Sequence, residues 1–513
     1  MSRVFACITP FLLLTLAGCN QGSPAPTRVT YTAPLQTLAS TSALEVKYTV
    51  SSDWKSGFSA TVQLTNHGPA INGWSVIWQY AGDQVITSLW NGSVTQTGKT
   101  VTVRNAGYNA SIPTGGTVSF GFNARYPSGT PNAAPGAFTV NGVPTGGPAP
   151  TDPSEPTPAP LPAGDGRWVM GYYVGYLRNQ YPLDAVKWSA LTHLVVGRVT
   201  PNSDGSLNTH FDIGAVSGPL WAKAAVSGAH ANGKRALLMV GGAGTHTAFT
   251  LAASEANRAR FAANLLNLVD TYGFDGIDLD WEPIQAIDAA PLKALAQTLK
   301  QQRSSLLLTL PVAWVNANFP ADAKPYHADL AGLFDRINIM SYAMNGVWGG
   351  WQSWHSSALR GAAPTTPSSL EASVNAYRAA GVPPQKLGIG IGFFGSCYSG
   401  VTGPRQSSSS MKLIADDNAL SYTNIVTQYG AMTRNWDAGA QVPYLSSAAP
   451  AGPKGCQFVS YEDAQSIALK ADYVRTAGLG GAIIWNINEG YLPGAAEGAR
   501  DPLMTAVQEA FSK

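Results

Sequence analysis

Charged residues are scarce in this chain of 513 residues: Asp, Glu, Lys and Arg together make up 12%. With 32 basic and 30 acidic residues the formal net charge is only +2, and Lys and Arg form no cluster. Both facts argue against the basic footprint of a nucleic-acid-binding protein. Cysteine is scarcer still, at 4 residues. Two of them, Cys7 and Cys19, lie in the extreme N-terminal segment. A mature exported chain therefore keeps Cys397 and Cys456 as its thiols, and in an oxidising compartment that pair suggests one disulfide. The 7 His are scattered, with no HExxH pair, so the residues give little support to a metal centre and none is expected. The apolar run at residues 4–16 is too short to span a bilayer. Aromatic residues, in contrast, are plentiful at 10%, with 14 Trp. Such a surplus fits either a large core or surfaces that stack on rings.

The N-terminus has the layout of a targeting segment: Arg3, the apolar run, then small residues. "LAGC" at residues 16–19 resembles a bacterial lipobox, which implies cleavage before Cys19 and lipidation of that residue. The alternative is an ordinary secretory signal with a chance cysteine. Either way the expectation is an exported protein: a lipoprotein anchored at the cell surface, touching the membrane only through its lipid, or a secreted one. Residues 20–43 are rich in Ser, Thr, Pro and Ala and read as a flexible tether. Residues 44–145 carry short runs of Val, Thr, Phe and Trp between turn signals such as "NHG", "NGW" and "TGG", the pattern of an all-β sandwich. Residues 146–166 form a Pro-rich semi-rigid spacer.

From 167 to 513 the pattern alternates. Apolar runs such as "WVMGYYVGY", "THLVVGRV", "RALLMVGG", "GIDLDWE", "LLLTLPVAW", "INIMSYAM", "LGIGIGFF" and "GAIIWNIN" are separated by segments of mostly helical period. One helix, "NRARFAANLLNLVDTYG", is expected to stop at Gly273. Eight strands alternating with helices predict a (β/α)8 barrel, with its largest insertion at about 396–479. The glycines of "MVGGAG" and "GIGIG" lack the spacing of a phosphate loop and fit crowded barrel strands instead.

One stretch stands out in so uncharged a chain. "FDGIDLDWE", residues 274–282, holds Asp275, Asp278, Asp280 and Glu282. On a strand, Asp278, Asp280 and Glu282 share one face and Asp275 points elsewhere, into a structural role. Glu282, last in the run, falls nearest the C-terminal rim, where barrel enzymes carry their chemistry. Carboxyls this close cannot all ionise cheaply, so at least one keeps its proton to higher pH and can act as a general acid beside an ionised neighbour.

"DGIDLDWE" resembles the DxxDxDxE signature of glycoside hydrolase family 18, the chitinase family. "INIMSYAMNG" is similar to the family's sixth-strand M-x-Y-D segment, "GLGGAIIWNIN" to its eighth strand and "GYY" at 171–173 to its first. The resemblance covers essentially all of 167–513 and implies that the insertion at about 396–479 is a small α+β unit that deepens the cleft. It implies hydrolysis of the β-1,4 bonds of chitin with retention, through substrate-assisted catalysis without a cofactor. Glu282 is then the general acid and base, Asp280 orients the acetamido group, Asp278 tunes Asp280, and Tyr342 hydrogen-bonds the acetamido oxygen. Trp485 forms the sugar floor, Met340 packs below it, Tyr172 lines the carboxylates and Trp348 belongs to the substrate-binding set. Two residues depart from the pattern. Ala343 stands where the family has Asp, and Met239 stands at the Ser position of the third strand, removing a hydroxyl expected to serve the buried Asp. Two alternatives remain open: an endo-β-N-acetylglucosaminidase acting on glycans, or a weakly active or non-catalytic chitin-binding surface protein.

Residues 44–145 resemble the family 2 carbohydrate-binding module. The match implies an exposed strip of Trp54, Trp90 and Tyr108 that grips insoluble polysaccharide, chitin or cellulose, with Trp74 in the core. Leu44 and Thr145 stand where the family's terminal disulfide is expected, so the module relies on its core.

Overall fold

The computed structural model describes residues 44–145, apart from positions 69, 128–131, 133, 136, 137 and 142, together with residues 166–512. The expected signal segment with Cys19, the tether at 20–43 and nearly all of the Pro-rich spacer lie outside the described residues.

Residues 44–145 fold as two antiparallel sheets. One runs in the order Leu44–Asp53, Gly57–Asn66, Thr117–Arg125, Val85–Trp90; the other runs Val143–Thr145, Phe138–Val140, Ser75–Gln79, Thr100–Asn105, Gly92–Thr97. Strand alternation decides the faces: along Gly57–Asn66, Phe58, Ala60, Val62 and Leu64 are buried while their neighbours look outward. Trp78 stacks on Phe120 and Phe122 in the resulting core, which Trp74, Val76, Val101 and Val103 complete. Trp74 is buried.

The larger region closes into a barrel of eight parallel strands: β1 (Trp168–Val174), β2 (His193–Pro201), β3 (Arg235–Gly241), β4 (Gly276–Asp280), β5 (Leu307–Ala313), β6 (Arg336–Met340), β7 (Leu387–Gly392) and β8 (Gly481–Trp485). Each pairs with the next, and β1 pairs with both β2 and β8. All seven residues of β1 are buried, as expected of parallel strands covered on both faces. The helix Arg258–Tyr272 presents Phe261, Leu265, Leu268 and Val269 to the barrel wall and ends at Gly273, whose φ of 79° lets its N–H close back on the Val269 carbonyl. Inside the barrel, Trp168, Met170, Tyr172, Val195, Leu237, Met239 and Ile483 pack together.

Between β7 and β8 the chain builds a five-stranded antiparallel sheet, ordered Lys412–Ala415, Ser396–Ser399, Cys456–Ser460, Val442–Ala451, Thr433–Asp437, with the helix Tyr422–Gln428 alongside. Cys397 and Cys456, on neighbouring strands, are disulfide-bonded with their Cα atoms 5.4 Å apart. Beside them Ser460, His355 and Asp437 form a hydrogen-bonded chain, His355 Nδ1 lying 3.2 Å from the Ser460 hydroxyl and Nε2 2.9 Å from Asp437. Ser460 and His355 are sealed from solvent, and Ser460 Oγ already accepts the Ser356 N–H, so this chain braces the insertion and presents no nucleophile.

Candidate active site

Asp278 and Asp280 point into the barrel from β4, both buried. Glu282, half-buried, follows the strand at its C-terminal end. Asp275 faces the opposite way: it accepts the Ala236 N–H and contacts His230 and Arg235, tying β4 to β3 from outside.

Asp278 receives two hydroxyl donors, Tyr172 Oη at 2.7 Å and Thr309 Oγ1. Burial nonetheless raises its proton affinity to about 6, the two hydroxyls opposing the shift and the charge of Glu282 adding to it. Asp280 is raised further, first by burial and then by Glu282 and Asp278. Glu282 is raised by burial as well, opposed by a hydrogen bond with Asp280, the Arg198 guanidinium and the Ala243 backbone N–H. Three carboxyls thus share fewer than three charges at neutral pH, and Glu282 is the member nearest solvent. One oxygen of Asp280, Oδ1, is buried without a hydrogen-bond partner.

Tyr342 lies just beyond β6, its ring edge-on to Phe394 at 5.7 Å and close over Gly390, where an added Cβ would meet the ring. Burial and the field of Asp280, Glu282 and Asp278 keep its phenol protonated. Trp485 closes β8, tilted against Tyr172 with ring centres 5.4 Å apart, and Met340 packs in the same cluster. Trp348 is exposed in the loop after β6, where it packs on Trp351 at 4.6 Å and Trp314 at 6.4 Å.

Several residues near the carboxylates escaped the sequence reading. Thr309 is the polar residue in the apolar run "LLLTLPVAW", and Arg198 the charged residue in "THLVVGRV"; each interruption was a usable signal. Asp417, in the insertion, accepts the Trp485 indole N–H at 3.3 Å. Glu489 is fully buried just past Trp485, and neither its carboxyl oxygens nor the amide of Asn486 have a well-formed hydrogen bond. Nothing in the local sequence marks these last three as neighbours of the site. The two departures also take shape here. Met239 lies opposite Asp278 and packs its sulfur under Gly197, while Tyr172 and Thr309 supply the hydroxyls that a Ser at 239 was expected to give. Strand alternation points Ala343 away from the cleft face unless the strand bends at its rim; β6 has ended at Met340, and Ala343 is exposed in a left-handed turn with φ of 50°. Alternation therefore no longer applies at this position.

On residues 44–145 the outward rings are Trp54, Trp90 and Tyr108, exposed by 52%, 46% and 78%. Gly57 and Gly121 explain why the indoles lie flat on the sheet. A Cβ at Gly57 would come within 2.7 Å of Trp54, and one at Gly121 within 2.4 Å of Trp90. Tyr108 is fixed by its hydroxyl, which donates to Asn91 at 2.7 Å.

The family model for glycosyl hydrolases family 18 matches residues 168–490. The chain belongs to that family. A second model, described as a cellulose binding domain, matches residues 44–145. Curated relatives include a probable endochitinase of Caenorhabditis elegans, 32% identical over 279 residues, and chitinase A1 of Niallia circulans, 28% identical over 292. Each match takes in 50% of this chain and only 43% or 40% of the relative. Among solved structures, a group IV chitinase of Ostrinia furnacalis superposes with a TM-score of 0.57 at 21% identity, over 68% of this chain and 100% of that one. Human YKL-39, described as a pseudo-chitinase with retained chitooligosaccharide binding, gives 0.58 at 20%, over 68% and 100%. These likenesses establish the barrel as a family 18 glycoside hydrolase fold.

Proposed function

We propose that this protein is a chitinase that cleaves β-1,4 bonds between N-acetylglucosamine units with retention, using the acetamido group of the substrate as nucleophile. The observation that carries this reading is the placement of Glu282 at the rim, its proton affinity raised by burial, beside the unpartnered, buried Oδ1 of Asp280. A buried acceptor without a donor costs about 1–3 kcal/mol, and an acetamido N–H supplies what Asp280 lacks.

In the reaction Glu282 gives its proton to the glycosidic oxygen as the bond to the anomeric carbon breaks. The acetamido carbonyl oxygen forms a new bond to that carbon, producing an oxazolinium ion whose charge and N–H face Asp280. Glu282, now a carboxylate, takes a proton from a water that attacks the same carbon. The acetamido group is released and the configuration kept, an exception to the two-carboxylate scheme. Asp278, held by Tyr172 and Thr309, keeps Asp280 in place; Tyr342 steadies the acetamido oxygen, and Trp485 with Met340 beneath supports the ring. Trp348 stacks on a neighbouring sugar. The flat rings of Trp54, Trp90 and Tyr108 fit a polysaccharide surface, and the N-terminal segment fits export with a lipid anchor on Cys19.

The test is product analysis on colloidal chitin and N-acetylchitooligosaccharides. Wild type should release soluble oligomers. Glu282→Gln, which removes the proton donor and little else, should fall below a few per cent of that rate while still binding the oligomers. Fully deacetylated chitosan and cellohexaose should remain uncut; efficient cleavage of either refutes the acetamido mechanism. The non-catalytic reading draws on the likeness to YKL-39 and on Ala343, and an inactive wild type would favour it.

A further inference from the structure

We propose that Arg198 is a positioning residue for the general acid: it clamps the turn that touches Glu282 and holds a positive charge beside the Glu282–Asp280 pair. The inference rests on the reading of Glu282 as the acid, and its evidence is a separate set of contacts. β2 pairs with β3 in regular parallel register up to Val196 opposite Leu238, then slips, resuming at Val199 opposite Val240. Gly197 and Arg198 occupy the slip, and irregularities of this kind re-aim side chains beside active sites. The guanidinium thereby reaches the rim instead of the barrel wall. Its Nε donates to Asp212 at 3.0 Å, and its Nη1 donates to the carbonyls of Gly241 at 3.0 Å and Ala243 at 3.3 Å.

Those carbonyls belong to the turn that leaves β3. The same turn is fastened to the acidic strand by the Gly242 N–H, which donates to the Asp280 carbonyl at 2.7 Å, and it directs the Ala243 N–H at Glu282. Arg198 therefore orders one face of the acid's surroundings through two backbone carbonyls. The turn is made for this approach. Gly241 and Gly242 have φ of 105° and 89°, and a Cβ on Gly242 would come within 2.8 Å of Nη1.

The charge matters as much as the clamp. The ionisable groups that act on Glu282 or feel its charge are Asp280 and Asp278 from β4, Arg198 from β2 and Tyr342 after β6. Arg198 opposes the rise in proton affinity of both Glu282 and Asp280. An acid buried among carboxyls holds its proton too tightly to give it up readily, and a fixed cation offsets that. Asp212, its partner, is itself held in a left-handed turn with φ of 55°.

The test compares wild type, Arg198→Met and Arg198→Lys on a soluble N-acetylchitooligosaccharide across pH. Arg198→Met should lower kcat on the order of tenfold, since both clamp and charge are lost. It should also move the alkaline limb of the kcat profile to higher pH, because deprotonating Glu282 becomes harder. Arg198→Lys keeps the charge but cannot span both carbonyls while holding Asp212, so it should return the limb toward the wild-type position and keep part of the loss in kcat. An Arg198→Met enzyme with an unmoved limb, or a Lys enzyme whose limb moves as far as that of Met, overturns the proposal. A readout without substrate separates this outcome from failure of the chitinase reading: the thermal midpoint of Arg198→Met relative to wild type should fall further at pH 8 than at pH 4, because ionised carboxyls lose their counter-charge. No such pH dependence refutes the role of the charge even if wild type proves inactive. Should Arg198→Met not fold, Asp212→Asn, which leaves the guanidinium without its carboxylate, should move the alkaline limb and the pH-dependent midpoint the opposite way; an unchanged profile overturns the proposal equally.

Discussion

Replacing Asp278 with Asn should stabilise the barrel at pH 8 and not at pH 4. Burial raises the proton affinity of Asp278 from the ordinary 3.8 to about 6. A carboxyl raised in this direction favours the folded state fully below its unfolded value, and that contribution is lost as pH rises through the folded value. A shift of roughly two units corresponds to about 3 kcal/mol of cost at pH 8 relative to pH 4. Asn carries no charge and escapes that cost. It does exchange one acceptor for a donor, so that either Tyr172 or Thr309 must turn its hydroxyl round, at about 1 kcal/mol. The net gain at pH 8 is then about 2 kcal/mol, against a loss of about 1 kcal/mol at pH 4. With an unfolding entropy of about 2.1 cal/mol/K per residue over roughly 350 residues, the midpoint should rise by about 3 °C at pH 8 and fall by about 1 °C at pH 4. Differential scanning calorimetry of the full chain at the two pH values measures both. A midpoint difference between variant and wild type that stays constant or shrinks with rising pH refutes the argument, because it means that Asp278 ionises in the folded barrel without penalty.

Trp54→Ala or Trp90→Ala should weaken adsorption to insoluble chitin or cellulose by about 1 kcal/mol each and leave cleavage of short soluble oligomers unchanged; pull-down isotherms read the first and product analysis the second, and unaltered adsorption would show that the strip is not the contact surface. Ala343→Asp should fold at least as stably as wild type, because the position is exposed and its left-handed backbone suits Asp better than Ala. Its thermal midpoint checks this, and a drop of several degrees would mean that the turn has been rebuilt around the small side chain.

What could be read in the sequence, and what could not, divides along sequence distance. The barrel was legible because each strand is a contiguous apolar run bounded by breakers, so one segment carries its own signal. The acidic face of β4 was legible for the same reason: period-two spacing puts Asp278 and Asp280 on one side, and the scarcity of charge elsewhere makes the run conspicuous. Side-chain contacts between separate strands, and between the barrel and its insertion, were not. Thr309 meets Asp278 from 31 residues away, and Asp417 meets Trp485 from 68 away. Neither separation leaves a pattern within any one window. Alternation also fails where a strand stops: β6 ends at Met340, so it does not fix the direction of Ala343. The rings at 54 and 90 were visible in the sequence, but the glycines that let them lie flat, Gly57 and Gly121, become meaningful only once Gly121 is seen on the strand facing Trp90 and Gly57 under Trp54.

The two unusual features at the rim push the acid in one direction. Ala343 follows Tyr342, whose phenol already feels Asp280, Glu282, Asp278 and Asp417, so an Asp at 343 would add a further anion to an acidic rim. Such an anion should oppose ionisation of Glu282, whereas Arg198 brings a cation to the same pair and favours it. A general acid must hold its proton when the substrate arrives and release it as the glycosidic bond breaks, so the useful proton affinity lies near the working pH. Burying Asp278, Asp280 and Glu282 together drives that affinity upward; an arginine beside them and an alanine at 343 draw it back. The two positions are therefore expected to couple through Glu282. Ala343→Asp and Arg198→Met should move the alkaline limb of activity the same way, and the double variant further than either single one. If Ala343→Asp moved it toward lower pH, the acid at 343 would be acting on the sugar and not on Glu282, and the charge balance at the rim would belong to Arg198 alone.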